Sequence, residues 1–510
     1  MNKQVWMAAV AASALTLIAC GGEDSAPPPV SSVPSPTPTP SPSGPYTGQL
    51  YLGSMRFTTQ PDAFVGELPF LTTAATSHAV LDVNSDGFLD IVFAFWSGLG
   101  PDEWGQNVGD RVTPNKLAIF INQGGRQFVD QTDTYLTGGA DLGGATRKVE
   151  KVDLNRDGKL DLVFAVNRED GRSGDPVAFS SAQSAALISR GNGYQIFKFG
   201  DPDWNHNVVV GELLGKAFVA TSGFVGAESS YYGFTFENDG FSRRFQFPFQ
   251  VSPNTARFIS DGTSGETNIL IQTQSFPNLL GVEAWKLSAG IWSKVSQVDN
   301  PFEYIKDVNF TTYNGTDQSI VPVFKVGDEY IIGGGGFAIT ESRFIRLSPP
   351  SSPLFMAKME LPIIPNFDEV ATQSVRQDDL IGRNKIVFYE YDGVSLNFKD
   401  VTIDGELRNI NFNFMSAIDI NRDGFEDIVV LPYTIEGAPV FYINNSGEKF
   451  IRQDIKILNF FRYHTDTATP IIADFDNDGI YDIVTVPANG NDIGKGRAMT
   501  DYLYYKGSQN

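Results

Sequence analysis

The stretch Asp474-Phe475-Asp476-Asn477-Asp478-Gly479-Ile480-Tyr481-Asp482-Ile483-Val484 decides the fold of this chain. Its carboxylates stand at positions 1, 3, 5 and 9 of a nine-residue run, with glycine at position 6. Calcium takes six to eight oxygen ligands at about 2.3–2.6 Å, and alternate side chains of a tight loop can turn toward one such ion. The carbonyl at position 7 adds a ligand, and glycine permits the sharp bend. The stretch therefore predicts a loop that wraps one calcium ion.

The same spacing occurs three more times, in the runs that begin at Asp82, Asp153 and Asp419, with Asn in place of Asp at position 3. A single acidic loop with a glycine is common, whereas four loops with one spacing indicate a repeat. The predicted calcium ligands are the side chains at positions 1, 3, 5 and 9 and the carbonyl at position 7: Asp82, Asn84, Asp86, Phe88 and Asp90; Asp153, Asn155, Asp157, Lys159 and Asp161; Asp419, Asn421, Asp423, Phe425 and Asp427; Asp474, Asp476, Asp478, Ile480 and Asp482.

These loops are not EF-hands, although an EF-hand loop begins with the same residues. An EF-hand needs a bidentate Glu at position 12 and a helix on each side. Position 12 is occupied by Phe93, Phe164, Val430 and Thr485, and none of these side chains can chelate calcium. Each loop is followed by a β-branched or aromatic run such as Ile-Val-Phe-Ala-Phe, which is typical of a strand. The sequence therefore predicts that each loop joins two β-strands.

The pattern D-x-[DN]-x-D-G-x-x-D-[IL]-V resembles the FG-GAP/VCBS repeat, the unit of integrin-α-type β-propellers and of many bacterial surface proteins. The match runs residue by residue through the four loops. The resemblance implies an all-β fold, a β-propeller built from four-stranded blades. It also implies about four Ca²⁺ ions, each in the loop between the first two strands of a blade. We expect these ions to be structural, with a ligand-bridging role as the alternative.

The strand rhythm continues where the acidic ligands are lost. Degenerate copies lie at 208–220, 256–271, 305–324 and 374–389, so we count eight blades, with seven as the alternative. The last repeat stops after two or three strands. We therefore expect residues 55–59, which precede the first complete repeat, to supply the missing outer strand and close the ring, because an open sheet edge would otherwise remain.

The N-terminal 45 residues predict a targeting signal followed by a spacer. Residues 1–20 resemble a lipoprotein signal peptide that ends in the lipobox Leu17-Ile18-Ala19-Cys20-Gly21, and Cys20 is the chain's single cysteine. We expect Cys20 to carry lipid and to hold the protein in the cell envelope at the outer membrane; the alternative is an ordinary signal peptide. Residues 21–45 are rich in Pro, Ser and Thr and predict a disordered tether. The propeller would span 46–510.

Charge and composition limit the function. The formal net charge is −22, from 38 Lys and Arg against 60 Asp and Glu, which argues against nucleic acid as a partner. The chain has three histidines and lacks the Gly-x-Ser-x-Gly, His-Glu-x-x-His and P-loop patterns. We favour a monomeric, non-catalytic binding or adhesion module for a protein or glycan. The alternative is a polysaccharide-active, lyase-like enzyme on the same scaffold, since some lyases that act on pectic rhamnogalacturonan resemble this calcium propeller.

A candidate ligand mouth follows from the expected ring closure, which would make the first and last repeats neighbours. His78 lies just before the first acidic loop, and Arg462 and His464 lie just before the last one. Trp96 and Trp104 belong to an insertion that is longer than a hairpin needs, and an exposed Trp pair could stack on sugar rings. Satisfied histidines and buried tryptophans are the alternative interpretation.

Overall fold

Short runs of β-branched and aromatic residues separated by Gly, Asn and Asp favour strands and tight turns over helices. In the part of the chain that the structure describes, they form 36 strands and one helix, α1 (Thr132–Tyr135). The structure is a computed structural model. It describes residues 55–66, 74–96, 117–167, 182–203, 205–213, 215–223, 231–249, 251, 256–260, 267–273, 282–288, 291–298, 303–311, 318–326, 329–332, 344–346, 354–360, 363–365, 375–376, 385–399, 401–404, 412–432, 439–454, 471–485 and 503–509.

The strands pair into eight sheets of four or five strands, which are numbered here in chain order. Sheet 1 contains β2 (Phe64–Val65), β3 (Ala74–Leu81), β4 (Asp90–Trp96), β5 (Leu117–Asn122) and β6 (Phe128–Asp130). Sheet 2 contains β7 (Leu136–Thr137), β8 (Ala145–Val152), β9 (Asp161–Asn167), β10 (Ala182–Arg190) and β11 (Gly193–Asp203). Sheet 3 contains β12 (Asn205–Leu213), β13 (Lys216–Gly223), β14 (Tyr232–Glu237) and β15 (Gly240–Gln246). Sheet 4 contains β16 (Ala256–Ser260), β17 (Thr267–Thr273), β18 (Val282–Ser288) and β19 (Ile291–Val298).

The second half of the chain forms the other four sheets. Sheet 5 contains β20 (Glu303–Thr311), β21 (Gln318–Val326), β22 (Glu329–Ile332), β25 (Ile363–Pro365) and β26 (Val375–Arg376). Sheet 6 contains β23 (Phe344–Arg346), β24 (Leu354–Glu360), β27 (Lys385–Tyr391) and β28 (Leu396–Lys399). Sheet 7 contains β29 (Thr402–Asp404), β30 (Phe412–Ile418), β31 (Asp427–Pro432), β32 (Val440–Asn445) and β33 (Lys449–Asp454). Sheet 8 contains β34 (Ile471–Ala473), β35 (Asp482–Thr485), β36 (Leu503–Gln509) and β1 (Met55–Gln60).

The prediction that each acidic loop joins two strands is confirmed. The loops connect β3 to β4, β8 to β9, β30 to β31 and β34 to β35, and all four pairs are antiparallel. The register is the same in each, because the position-9 Asp pairs with the residue just before the position-1 Asp, as in Leu81 with Asp90 and Ala473 with Asp482. One loop geometry is therefore built into four sheets.

The predicted closure is also present. Strand β1 pairs antiparallel with β36 along its whole length, from Met55 opposite Gln509 to Gln60 opposite Tyr504. The order of sheet 8 is β1-β36-β35-β34, so the chain's first described strand is the outer strand of its last sheet. Met55 and Phe57 are each 1% exposed, because their side chains face the neighbouring sheet.

Hydrophobic clusters hold the sheets face to face, and together they define an all-β propeller. Clusters join sheet 8 to sheet 1, sheet 1 to sheet 2, sheet 2 to sheet 3, and sheet 3 to sheet 4. Sheet 7 packs on sheet 8 through a further cluster. Sheets 6 and 7 meet where the Phe388 and Phe450 rings stack with their centroids 5.2 Å apart.

The predicted count of seven or eight blades is wrong, and the departure from a consecutive ring lies at sheet 5. Sheet 4 contacts sheet 6 directly, because Ile271 and Ala284 share a cluster with Tyr389 and Leu396. The Leu396 backbone N–H also donates to Ser296 Oγ at 2.8 Å across the same boundary. Sheet 5 precedes sheet 6 in the sequence but does not separate it from sheet 4. A strand-turn-strand rhythm therefore predicts a sheet but not the neighbours of that sheet in the ring.

Candidate metal centres

The four acidic loops share one backbone conformation that includes a strained position. The residue at position 4 has a left-handed φ in every loop, namely 62° at Ser85, 63° at Arg156, 58° at Arg422 and 59° at Asn477. The glycine at position 6 also has positive φ, between 85° and 92°. A non-glycine residue in this region costs about 1 kcal/mol or more. Four repetitions of this cost indicate that the bend matters more than the identity of the position-4 side chain.

The position-1 carboxylate closes the bend. Its Oδ2 accepts the N–H of the position-6 glycine at 2.9 Å in the first, third and fourth loops and at 3.0 Å in the second. The position-5 carboxylate accepts the position-7 N–H at 2.8 to 2.9 Å through Oδ1. These bonds place the position-1 and position-5 carboxylates on the inside of the turn. The loop is thus shaped by the same side chains that are predicted to bind calcium.

The position-9 aspartates are the most buried acids of the loops. Asp90, Asp161, Asp427 and Asp482 are each 0% exposed. In each, Oδ2 accepts the N–H of position 2 at 2.8 to 3.1 Å, and Oδ1 accepts an N–H of the third strand at 2.7 Å. Each of these oxygens accepts the hydrogen bond described and has a second lone pair. The position-9 aspartates can therefore still act as the predicted metal ligands. Their contacts also tie the loop to the third strand.

Burial disfavours the ionised form of the four position-9 aspartates. It raises the pKa of Asp90 to about 6 and that of Asp427 and Asp482 to about 8, and it raises the pKa of Asp161, although backbone N–H donors oppose the change. Nearby aspartates of the same loop contribute to the raised pKa of Asp90 and Asp427. A cation bound beside these carboxyl groups would favour their ionised form, because a nearby opposite charge lowers the pKa of a carboxyl group.

The residues that donate hydrogen bonds to the position-9 aspartates from the third strand were not predicted from the sequence. The backbone N–H groups that bond to Asp90 and Asp427 belong to Asn122 and Asn444, whose side chains are fully buried. Asn122 Nδ2 also donates to the carbonyls of Leu89 at 3.0 Å and Phe475 at 2.7 Å, and the second contact crosses from sheet 1 to the fourth loop. A signal was present, because each Asn lies within the last two residues of an apolar third strand and precedes a glycine by three residues.

Neighbouring loops are connected around the ring. Arg422 at position 4 of the third loop lies 3.4 Å from Asp474 Oδ2 at position 1 of the fourth loop. Asn477 at position 4 of the fourth loop donates through Nδ2 to the Gly87 carbonyl of the first loop at 2.8 Å. The left-handed turn at position 4 thus directs a side chain toward the next repeat at these two junctions. The loops form a connected rim along sheets 7, 8 and 1.

The fourth loop gives the clearest test of whether the side chains fit a metal ion. Carboxylate oxygens of Asp474, Asp476 and Asp482 lie within 4.8 Å of one another. Asp474 Oδ1 is buried, and among the described residues it has no hydrogen-bond partner. A hard oxygen donor set with an unsatisfied buried oxygen fits calcium. The other loops have the same ligand spacing in the sequence, with Asn84, Asn155 and Asn421 at position 3.

The fourth loop also has an ammonium group that forms ion pairs with two of its predicted ligands. Lys506 of β36 forms an ion pair with Asp476, and its Nζ lies 3.3 Å from Asp478 Oδ2. The acceptors are the side chains at positions 3 and 5. In the second loop, by contrast, the Lys159 ammonium donates to the Gly191 carbonyl at 2.9 Å.

The candidate ligand mouth is described in part. His78 lines a cavity of about 280 Å³ together with Glu150, Lys151 and Ser416, which come from β3, β8 and β30. Burial and the nearby Lys151 ammonium together lower the pKa of His78 to about 4. Trp96 ends β4 opposite Ala74. Arg462, His464 and Trp104 lie outside the described residues, so their convergence with His78 remains a prediction.

The fold and these loops define an all-β propeller in which acidic loops of one design join the first two strands of four sheets. The family model of the FG-GAP-like repeat matches residues 419–485, which hold the third and fourth loops. The chain is thus an all-β propeller that contains an FG-GAP-like repeat at residues 419–485. No curated protein matches the chain. No helix of the described residues is long and apolar enough to cross a membrane.

Three solved structures that are similar to this chain share only 10% of its sequence. BBS1N in complex with ARL6DN aligns with a TM-score of 0.41 and 10% identity, over 89% of this chain and 98% of that chain. A mutant of AofleA from Arthrobotrys oligospora aligns with a TM-score of 0.36 and 10% identity, over 80% and 94%. An ancestral GH74 enzyme aligns with a TM-score of 0.43 and 10% identity, over 89% and 52%.

Proposed function

We propose that the protein is a lipid-anchored, calcium-stabilised β-propeller that acts as a non-catalytic binding or adhesion module for a protein or glycan. The observation that carries the calcium part is the unsatisfied Asp474 Oδ1 beside the carboxylates of Asp476 and Asp482. Because the same loop design recurs in four sheets, about four structural Ca²⁺ ions are expected. Each ion would be held by the side chains at positions 1, 3, 5 and 9 and the carbonyl at position 7.

Calcium would offset charge in loops that shape the ring. The ion binds folded protein better than unfolded chain, so it stabilises the fold by mass action. Removing calcium with a chelator is expected to lower the melting temperature of the full chain by about 10 °C or more. Elemental analysis of the folded protein is expected to find about four calcium ions. A chain without bound calcium whose melting temperature does not change with chelator would contradict this part of the proposal.

Single substitutions assign the ions to loops. The variants Asp86→Asn, Asp157→Asn, Asp423→Asn and Asp478→Asn keep an Oδ1 acceptor for the position-7 N–H but remove one charge. Each variant is expected to bind one calcium ion fewer than the wild type. Asp239→Asn serves as the control, because Asp239 lies in the exposed turn between β14 and β15 and pairs with Arg190.

Binding to a partner would use the central cavity and the loops around it. The cavity is lined by strands of sheets 1, 2, 7 and 8, and it offers one acid, Glu150, beside His78 and Lys151. Binding to an array of glycans and envelope proteins, followed by His78→Ala and Lys151→Met, tests this site. Loss of binding in these variants but not in Lys216→Met supports it, because Lys216 is an exposed residue paired with Glu237. Unchanged binding in the cavity variants would exclude this site.

The second candidate function is a polysaccharide-active enzyme. The observation that favours it is a His78 side chain in the cavity with a pKa lowered to about 4 by burial and by Lys151, since a neutral imidazole can accept a proton. Incubation with uronic-acid polysaccharides is expected to release shortened, unsaturated products if this function is correct. The release would be lost in His78→Ala. Intact polymer chains after incubation with saturating enzyme would exclude it.

The membrane anchor is a separate part of the proposal. Lipid on Cys20 and a tether over 21–45 would hold the propeller in the cell envelope at the outer membrane. A labelled fatty acid is expected to be incorporated into the wild type and not into Cys20→Ser. Incorporation into both proteins, or into neither, would contradict the anchor while leaving the calcium proposal unaffected.

A further inference from the structure

The fourth acidic loop contains a cation that belongs to the protein itself. The Lys506 ammonium pairs with Asp476 and lies 3.3 Å from Asp478 Oδ2, so it contacts the side chains of positions 3 and 5. Lys506 comes from β36, the third strand of the same sheet, and is separated from the loop by more than twenty residues of chain. The ammonium therefore reaches the loop because β36 pairs with β35 and brings it there.

We propose that Lys506 is a tethered cation that competes with Ca²⁺ for the fourth loop, so that this loop is held together without metal and binds calcium more weakly than the others. The inference rests on the proposed calcium function of the loops. Entry of calcium would displace the lysine head group into water. On binding calcium, the fourth loop would thus replace one cation with another. Each of the other loops would bind calcium without displacing a cation from its ligands.

The geometry favours exchange over permanent replacement. A lysine ammonium has three hydrogen-bond donors and one positive charge, whereas calcium needs six to eight oxygens. Lys506 contacts Asp476 and Asp478, while Asp474 Oδ1 is left without a hydrogen-bond partner among the described residues. The ammonium thus satisfies part of the ligand set. A divalent ion that also bonds to Asp474 would satisfy more of it.

The lysine can leave the loop without a change of fold. Its side chain is 40% exposed, so the ammonium has a path to solvent, while its backbone stays paired with Thr58 of β1. The Gly507 N–H still donates to Asp482 Oδ1 at 2.7 Å in the same strand. Arg422, at 3.4 Å from Asp474 Oδ2, approaches the loop from the other side and would remain in both states.

The test compares Lys506→Met with the wild type in the full chain. Methionine keeps an apolar stem and removes the ammonium. We expect one calcium site of Lys506→Met to bind about tenfold more tightly than in the wild type, because a competing charge has been removed. Titration calorimetry and equilibrium dialysis with Ca²⁺ measure this change. The double variant Lys506→Met/Asp478→Asn is expected to lose the gain, which assigns it to the fourth loop.

Thermal unfolding gives a second, independent readout. In chelator, Lys506→Met is expected to melt below the wild type, because the ammonium that pairs with Asp476 and Asp478 has been removed. In saturating calcium this difference is expected to disappear. Lys294→Met is the matched control, since its side chain is 41% exposed and pairs with Glu283 of β18, and it is expected to change neither calcium affinity nor the difference between the two conditions.

The outcomes separate this inference from the calcium function. If the wild type binds about four ions and Lys506→Met binds them with unchanged affinity, the loops are calcium sites and the competition is wrong. If the wild type binds fewer ions and Lys506→Met gains one, the competition is supported. If neither protein binds calcium, the proposed function fails and the competition fails with it. A Lys506→Met protein that melts with the wild type in chelator contradicts the tethered-cation role.

Discussion

Gly125 illustrates how single residues in this fold serve two sheets. It lies in the turn between β5 and β6 with φ +75°, and its N–H donates to Asn122 Oδ1 at 2.7 Å. A Cβ on Gly125 would lie 2.0 Å from the Cβ of Asp476 in the fourth loop. The glycine is therefore required both by its own turn and by the loop of the neighbouring sheet.

We predict that Gly125→Ala destabilises the protein more than Gly191→Ala. Gly191 is the matched control, since it lies in the turn between β10 and β11 with φ +58° and has open space around its Cβ position. Gly191→Ala is expected to cost about 1 kcal/mol of unfolding free energy from backbone strain. Gly125→Ala is expected to cost at least about 2 kcal/mol more, because the fourth loop must move. Denaturant unfolding measures both, and equal costs would show that the contact with Asp476 does not matter.

The residue scale is also where the sequence was most informative. Spacing alone assigned the four loops, and the structure gives each of them the same bend. Spacing did not predict that Asp90 and Asp427 also bond to the third strand, because Asn122 and Asn444 lie 32 and 17 residues away in the chain. Lys506 was missed for the same reason. A local sequence pattern identifies the ligands within a loop. It does not identify residues of other strands that the folded sheet places beside the loop.

At the scale of the element, the end of the third strand acts as an anchor for the loop. Asn444 in β32 donates through Nδ2 to the Glu426 carbonyl at 2.9 Å and accepts the Gly447 N–H through Oδ1 at 2.6 Å. Asn122 in β5 has the corresponding contacts in sheet 1 with Leu89 and Gly125. The second and third strands and the following turn are thus fixed by one amide side chain.

We predict that Asn444→Ala costs about 2–3 kcal/mol of unfolding free energy, because it leaves a buried carbonyl and a buried N–H without their bonds to the amide. The adjacent Asn445 is the control, since it is exposed at the end of the same strand. Asn445→Ala is expected to change the unfolding free energy by less than about 0.5 kcal/mol. Comparable losses from the two substitutions, measured by urea unfolding, would contradict the anchoring role of the buried amide.

At the scale of the whole molecule, the ring is closed by strands from opposite ends of the described chain. Phe57 of β1 packs with Ile420 and Phe441 of sheet 7 and with Ile483 and Tyr505 of sheet 8. The side chain therefore joins two sheets while its backbone pairs with β36. The sequence predicted this closure from the incomplete last repeat. It did not predict the direct contact between sheets 4 and 6, because packing between faces is set by side chains far apart in the chain.

We predict that Phe57→Ala lowers the unfolding free energy by about 3–5 kcal/mol through loss of a buried aromatic side chain. Thr58 is the control, because it points to solvent on the same strand. Thr58→Ala is expected to cost less than about 0.5 kcal/mol. Calorimetry of both variants tests the closure, and a melting temperature that Phe57→Ala leaves unchanged would show that β1 does not hold the ring.

The pairing of β1 with β36 also sets the order of events during biosynthesis. Residues 55–60 leave the ribosome hundreds of residues before their partners at 504–509 are made. Long-range strand pairs of this kind form slowly, because the intervening chain must be ordered first. Strand β1 therefore stays unpaired with β36 until residues 504–509 have been made. A nascent chain of this protein is expected to depend on chaperones over this interval, and premature termination just before residue 503 would leave a nearly complete ring without its last joint.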